Sequence, residues 1–174
     1  MGLDTQPMGI KNFFIIFFLI LTSCNKTYNT SKTNAKYVPK IIDFSLVNMK
    51  DGKKVWLVTA SEALIDEFNN QIVVSTGVIK FYKKDDYISE MKFKKAVIDT
   101  KTNNIDFFGE NIATTVEKEK IITYDTKYNS SENKVFSDKK IIIYRSGSVI
   151  TGKGFETEDG FKNIKIKENI IVPQ

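Results

Sequence analysis

Residues 55–82 read VWLVTASEALIDEFNNQIVVSTGVIKFY, and this stretch decides the fold. It opens in strict alternation. Trp56, Val58 and Ala60 point one way and Val55, Leu57 and Thr59 the other, which is the period of a strand and not of a helix. A second apolar run, Ile72 to Val74, follows the turn-prone pair Asn69-Asn70. After Gly77 the alternation resumes, with Ile79 and Phe81 on one face and Val78, Lys80 and Tyr82 on the other. The stretch is a β-hairpin unit whose partly apolar face needs a neighbouring unit to cover it.

Such a neighbour follows. Ala63-Leu64-Ile65-Asp66 recurs as Ala96-Val97-Ile98-Asp99, Asn69-Asn70 as Asn103-Asn104, and Gly77-Val78-Ile79 is echoed from Gly109 to Ile112. Looser copies run from Thr126 through Asn133 to Phe136, and from Val149 through Asp159-Gly160 to Val172. The spacing of roughly 30 residues lies in the range of stacked supersecondary units. Chance similarity among short strands with Asn-rich turns is the alternative.

Around this unit the chain reads as strands almost throughout. Ile41 to Leu46 comes first, and Lys50-Asp51-Gly52-Lys53 carries the Asp-Gly hairpin signature. Lys83 to Asp86 is another turn, leading into the alternating Met91-Lys92-Phe93-Lys94. Further strands are expected at Ile105–Phe108, Ile112–Val116, Ile121–Tyr124, Val135-Phe136, Ile141–Tyr144, Val149–Phe155, Ile164–Ile166 and Ile170–Val172. Gly152 and Gly154 inside one of them suggest close backbone approach or a bend. No amphipathic helix is visible after residue 40, and residues 61–68 suit a turn at most. Many short strands with frequent turn signals point to an all-β sandwich, jellyroll or stacked solenoid.

At 174 residues there is room for one domain with a real core. One Cys and no His remove intrachain disulfides, Cys/His zinc sites and His-dependent nucleophile pairs. The formal charge of +5 suits anionic partners only mildly.

The first 23 residues read as a targeting segment. The apolar run Phe13 to Leu21, about nine residues, spans roughly 14 Å as a helix against a hydrocarbon core of about 30 Å, so it suits a signal-peptide core and not a membrane span. Lys11 supplies the positive flank. Asp4 and Gln6 sit awkwardly upstream of it, and a start at Met8 would remove them. Leu21-Thr22-Ser23-Cys24 resembles the lipobox of bacterial lipoproteins, in which the cysteine is acylated and becomes the mature N-terminus. Acyl chains contribute about 0.8 kcal/mol per buried methylene, and two or three hold far better than one. Residues 24–40 are then a polar tether that cannot order itself. Its roughly 16 residues reach at most about 58 Å stretched and about 20–25 Å as a coil. Residues 41–172 form the folded domain.

From about Asp43 to Val172 the chain resembles the LptC family of lipopolysaccharide-export proteins, and more broadly the OstA-like β-jellyroll repeats. The resemblance is carried by Asp43-Phe44-Ser45-Leu46, Trp56-Leu57 through Ala60 and Ala63, and Ile79-Lys80-Phe81-Tyr82. Ala96, Gly109, Thr123-Tyr124-Asp125 and Gly152-Lys153-Gly154-Phe155 complete it. It implies an all-β, open, twisted β-jellyroll of repeated hairpins in the periplasm. It also implies docking by the N-terminal edge on the jellyroll domains of an inner-membrane ABC transporter. The C-terminal edge would join an LptA/OstA-like periplasmic protein, with lipopolysaccharide acyl chains sliding along the apolar interior. The chain departs from familiar members in one respect: a lipobox stands where they carry a transmembrane helix. It would therefore be held by lipid on the periplasmic side of the inner membrane, or on the outer membrane.

Residues expected to line a lipid groove are Trp56, Val58, Ile79, Phe81, Met91, Phe93, Ile141 and Ile143, which would otherwise be ordinary core. Edge residues expected to meet partners are Asp43, Phe44 and Leu46 at one end and Ile170, Ile171 and Val172 at the other, since a free strand edge accepts another strand. Lys92, Lys94, Lys95, Lys139, Lys140, Lys162, Lys165 and Lys167 could face phosphates or, more commonly, water. Glu156 and Glu158 share a strand face, yet no nucleophile elbow or phosphate loop accompanies them, so neither catalysis nor a cofactor is expected. No stacking-aromatic pattern for nucleic acid is present either. A lipoprotein that only binds other proteins around a solid core is the competing reading.

Overall fold

A computed structural model describes residues 38–169, so Cys24 and the edge residues Ile170, Ile171 and Val172 lie outside the described part. Within it eleven antiparallel strands form one sheet, and no helix occurs among the described residues. The strands are β1 (Lys40–Lys50), β2 (Lys53–Asp66), β3 (Gln71–Lys83), β4 (Asp86–Asp99), β5 (Ile105–Phe108), β6 (Glu110–Thr115), β7 (Lys120–Tyr124), β8 (Lys127–Asn129), β9 (Lys134–Arg145), β10 (Ser148–Glu158) and β11 (Asn163–Asn169). Successive hairpins give the order β1-β2-β3-β4-β5-β8-β9-β10-β11. β6 and β7 bridge a second path between β4 and β9. The expected all-β jellyroll of repeated hairpins is the fold found.

The repeat has a spatial meaning. Ala63 and Ala96 both sit opposite Val74, one on each side of β3. Asn70 and Asn103 both turn the chain with positive φ, a conformation that Asn tolerates better than most residues.

The long strands do not keep one phase of alternation. In β2 the buried positions are Trp56, Val58 and Ala60, then Ala63; in β3 they are Ile72 and Val74, then Gly77, Ile79 and Phe81. In β4 they step from Phe93 to Ala96. One extra residue is inserted each time, and the inserted residues line up. Pairing skips Asp43 opposite Ser61, Ser61 opposite Thr76, and Thr76 opposite Lys94. The line continues past Gly109 between β5 and β6, and past Asp125 between β7 and β8. It ends at Gly154 in β10, where the register with β9 shifts and the pairing with β11 skips Lys167. Asp43, Thr76, Gly109, Asp125 and Gly154 all have positive φ. Each breaks the extended conformation of its segment, and only at Gly154 does the interruption also shift a register. Together they crease the sheet from edge to edge.

The crease divides the sheet into two wings that pack face to face around one apolar core. The first wing holds Trp56, Val58, Ile79, Phe81, Met91, Phe93, Ala113, Ile121, Ile141 and Ile143. The second holds Ala63, Val74, Ala96, Ile98, Ile105, Phe107, Tyr128, Val135 and Phe155. At the crease the wings meet as a spine. There the tilted rings of Phe93 and Phe107 pack with centroids 5.3 Å apart. A Cβ on Gly77 would lie 2.6 Å from both the Phe93 ring and the Thr59 carbonyl, so only glycine fits. Three expected features change accordingly. Val135-Phe136 and Ile141–Tyr144 are one strand, β9, interrupted by exposed residues at the crease. Ile72–Val74 and the run after Gly77 are likewise one strand. Residues 61–66 extend β2 and do not turn.

Candidate functional site

Every expected groove residue faces the interior, and each is at most 4% exposed. The structure therefore brings Trp56, Val58, Ile79, Phe81, Met91, Phe93, Ile141 and Ile143 together, but packed against the chain's own side chains. Away from the spine the wings are held together by different contacts. There the tips of the hairpins meet across a mouth, and one turn spans it.

That turn joins β10 to β11. Asp159, on the second wing, accepts hydrogen bonds from the Lys83 ammonium and, at 3.2 Å, from the Asn133 amide. Lys83 lies at the tip of the first wing, 76 residues away in the chain. The Ser89 hydroxyl, buried on the first wing, donates to the Gly160 carbonyl. Phe161 is fully buried, with its ring centroid 6.1 Å from Phe81 of the first wing and 6.1 Å from Phe155 of the second. Gly160 lies against Phe81 so closely that a Cβ would approach it at 2.4 Å.

The turn is strained. Asp159, Gly160 and Phe161 follow one another at φ 49°, 60° and 72°. Aspartate and glycine tolerate this region, but an aromatic residue there is an outlier. The left-handed conformation costs a residue such as Phe161 about 1–2 kcal/mol, and full burial of the side chain contributes about 1.5–3 kcal/mol. Burial of the ring and the contacts of Asp159 and Gly160 thus offset the backbone strain.

Beside it lies an aromatic cluster with polar handles. Trp56 is the register partner of Phe81. The Tyr128 ring is 5.9 Å from Phe81, and its hydroxyl donates to Asn133 at 3.2 Å. Burial raises the Tyr128 pKa, and the nearby side chains of Ser130 and Trp56 oppose the rise. Although Trp56 lies that near, its buried indole N–H meets no acceptor in hydrogen-bonding geometry, which leaves its desolvation uncompensated.

Two clefts flank the turn along the mouth. One, of about 250 Å³, is lined by Lys83, Lys84, Tyr87, Val116, Glu117 and Lys162 among others. The other, of about 340 Å³, is lined by Lys50, Lys53, Lys54, Lys83 and Lys84 with Tyr82, Tyr128 and Asn133. Of the lysines expected to face phosphates, only Lys162 lines the mouth clefts. Lys92, Lys94, Lys95, Lys139, Lys140, Lys165 and Lys167 are exposed on the outer strand surfaces, where Lys165 pairs with Glu156 and Lys167 with Asp138. The mouth lysines that the sequence reading passed over all sit in or beside tight turns, where lysine reads as a solvated residue. Their signal was the recurrence of Lys pairs at successive first-wing turns, Lys53-Lys54 and Lys83-Lys84.

At the edges, β1 and β11 each pair on one side only among the described residues, so the sheet is not closed. On β1, Phe44 is buried in the core and Leu46 packs against it, while Asp43 is exposed at the crease. The apolar groups that β1 leaves exposed are Ile41, Ile42, Val47 and Met49.

These features define a class: an open jellyroll, creased into two apolar wings, whose two end strands each pair on one side only among the described residues. The family model described as "Lipopolysaccharide-assembly, LptC-related" matches residues 13–171, and the chain belongs to that family. Membership carries with it a part in lipopolysaccharide transport and assembly. No curated protein matches the chain.

Proposed function

We propose that the protein is a lipid-anchored bridge component of lipopolysaccharide export. It takes lipopolysaccharide from an inner-membrane ABC transporter on the periplasmic side and passes it, acyl chains inward, to another jellyroll protein such as an LptA/OstA-like one. The observation that carries this is the unclosed sheet with an apolar interior. Each free edge offers a row of backbone donors and acceptors to a neighbouring jellyroll, and stacking jellyrolls edge to edge would make their interiors continuous. β1 is the edge for the transporter, and the C-terminal segment with Ile170, Ile171 and Val172 is the edge for the next carrier. The mouth lysines suit an anionic headgroup held at the rim while its chains lie within. Cys24 supplies the anchor, and Cys24→Ser should abolish palmitate labelling; labelling that persists refutes the anchor alone.

One observation favours a second reading. All eight groove residues are buried by the chain itself, as in a solid core that serves only to present edges to other proteins. Photo-crosslinkers at Phe81 and Phe93, in the full chain in its membrane, separate the two. A carrier gives lipopolysaccharide adducts from inward positions. Absence of adducts at both positions, with protein adducts still formed from the β1 edge at Val47, establishes the scaffold instead.

A further inference from the structure

We propose that the β10–β11 turn is a clasp across the mouth, and that Phe161 occupies the place an acyl chain takes beside Phe81. The inference rests on the lipid-carrier reading and says how the carrier is entered: sideways, through the mouth, in competition with the protein's own side chain.

Four observations converge on it. The contacts that the turn makes across the mouth, Lys83 with Asp159 and Ser89 with the Gly160 carbonyl, are carried by adjacent residues of one short segment, so a small displacement breaks both. Phe161 reaches the core from a turn and not from a strand. It lies between rings of both wings in a backbone conformation that an aromatic residue seldom adopts. A turn that swung out would relieve that conformation and leave an apolar slot walled by Phe81, Phe155 and Tyr128. Next to that slot stands the indole N–H of Trp56, close to the Tyr128 hydroxyl but outside hydrogen-bonding geometry with it. The carbonyl of an acyl ester or amide is the acceptor it lacks, and the rest of the chain would then run inward over Val58, Ile79 and Met91. Finally, lysines outnumber carboxylates in the clefts on either side of the turn, three against Asp86 and Glu117 in one and five against Asp51 in the other, so the head of the same ligand stays in water against a net positive rim. The occupant is thus an acylated amphiphile with an anionic head, entering chains first.

The test uses the full chain in its membrane, with a benzophenone amino acid at position 81 beside the mouth or at position 93 on the spine. Asp159→Ala removes the acceptor shared by Lys83 and Asn133 and touches no core atom. Phe161→Gly removes the ring and frees the backbone. Each should raise the lipopolysaccharide adduct at position 81 several-fold and leave that at position 93 nearly unchanged. Adducts at position 81 that form in the parent protein and do not rise in Asp159→Ala overturn the clasp while the carrier reading stands. Adducts rising equally at both positions also overturn it, because they report general loosening. Absence of adducts at either position in every variant sinks the carrier reading, and the clasp with it.

Discussion

The spine and the mouth are filled by the same kind of residue in opposite ways. At the spine Phe93 and Phe107 come from strands in mid-sheet, and Gly77 lets the neighbouring backbone close over them. At the mouth Phe81 is covered by Phe161, which arrives on a turn held by a few polar contacts between the wings. Both rings are buried, the first by strands in mid-sheet and the second by a turn. Burial by itself does not separate a permanent core from a filled binding site; the element that delivers the covering group does.

The largest expected effect tests that distinction directly. Phe93→Ala should cost about 3–5 kcal/mol, as large-to-small changes in a rigid core do. Phe161→Gly removes more atoms, yet it also removes an unfavourable left-handed backbone and lets the turn relax. It should cost less than Phe93→Ala by about 1–2 kcal/mol, the size of that backbone term. Urea denaturation of both variants measures the difference. Equal losses would show that the mouth is as rigid as the spine.

A smaller change sharpens the spine's side of the comparison. In Gly77→Ala the new methyl group meets the Thr59 carbonyl, which is backbone and cannot rotate away, as well as the tip of Phe93. Overpacking of this kind costs about 1–3 kcal/mol. The loss should appear as a lower denaturation midpoint with an unchanged slope. A neutral result would mean that the crease itself flexes, and the spine would then be a hinge.

How much of this was legible in the sequence follows from the same geometry. Alternation was readable wherever it was unbroken, so Trp56-Val58 and Ile79-Phe81 were placed inward correctly. The crease was not readable, because one inserted residue per strand looks like the end of one strand and the start of another. Asp138 to Lys140 in β9 are exposed there and read as a break, although the strand runs through them. Likewise, Gly77 and Gly109 were noticed as a repeat, but nothing in one dimension says that they lie on a common line. The clasp was hidden for a different reason. Asp159-Gly160 is an ordinary turn signature, and a phenylalanine next to it gives no sign of whether it points to water or back into the molecule. Only the contacts with Phe81 and Ser89, some 70 to 80 positions earlier, reveal that.

The smallest effect contrasts two aspartates, each flanking a turn of the second wing. Asp99 serves its own turn: its carboxylate accepts the backbone N–H groups of Lys101 at 2.9 Å and Thr102 at 2.7 Å. The Thr102 backbone hydrogen bond is the main reason its pKa lies below the ordinary carboxylate value. Asp159 instead reaches other elements, Lys83 and Asn133. For a carboxylate whose folded pKa is depressed, the stabilisation is complete above the unfolded value, near 3.9, and is lost as pH falls through the folded value. Acid should therefore loosen the β4–β5 turn only below the usual carboxylate range. Amide resonances of Lys101 and Thr102 should shift with a midpoint under 3.9, and Asp99→Asn should abolish that midpoint while still holding the turn through its side-chain oxygen. Amides near the mouth, such as that of Phe161, should respond to pH in Asp99→Asn as they do in the parent protein, and so show no component that follows Asp99. If they showed one, the two tips of the second wing would move as one piece, and the mouth could not open independently of the rest of its wing.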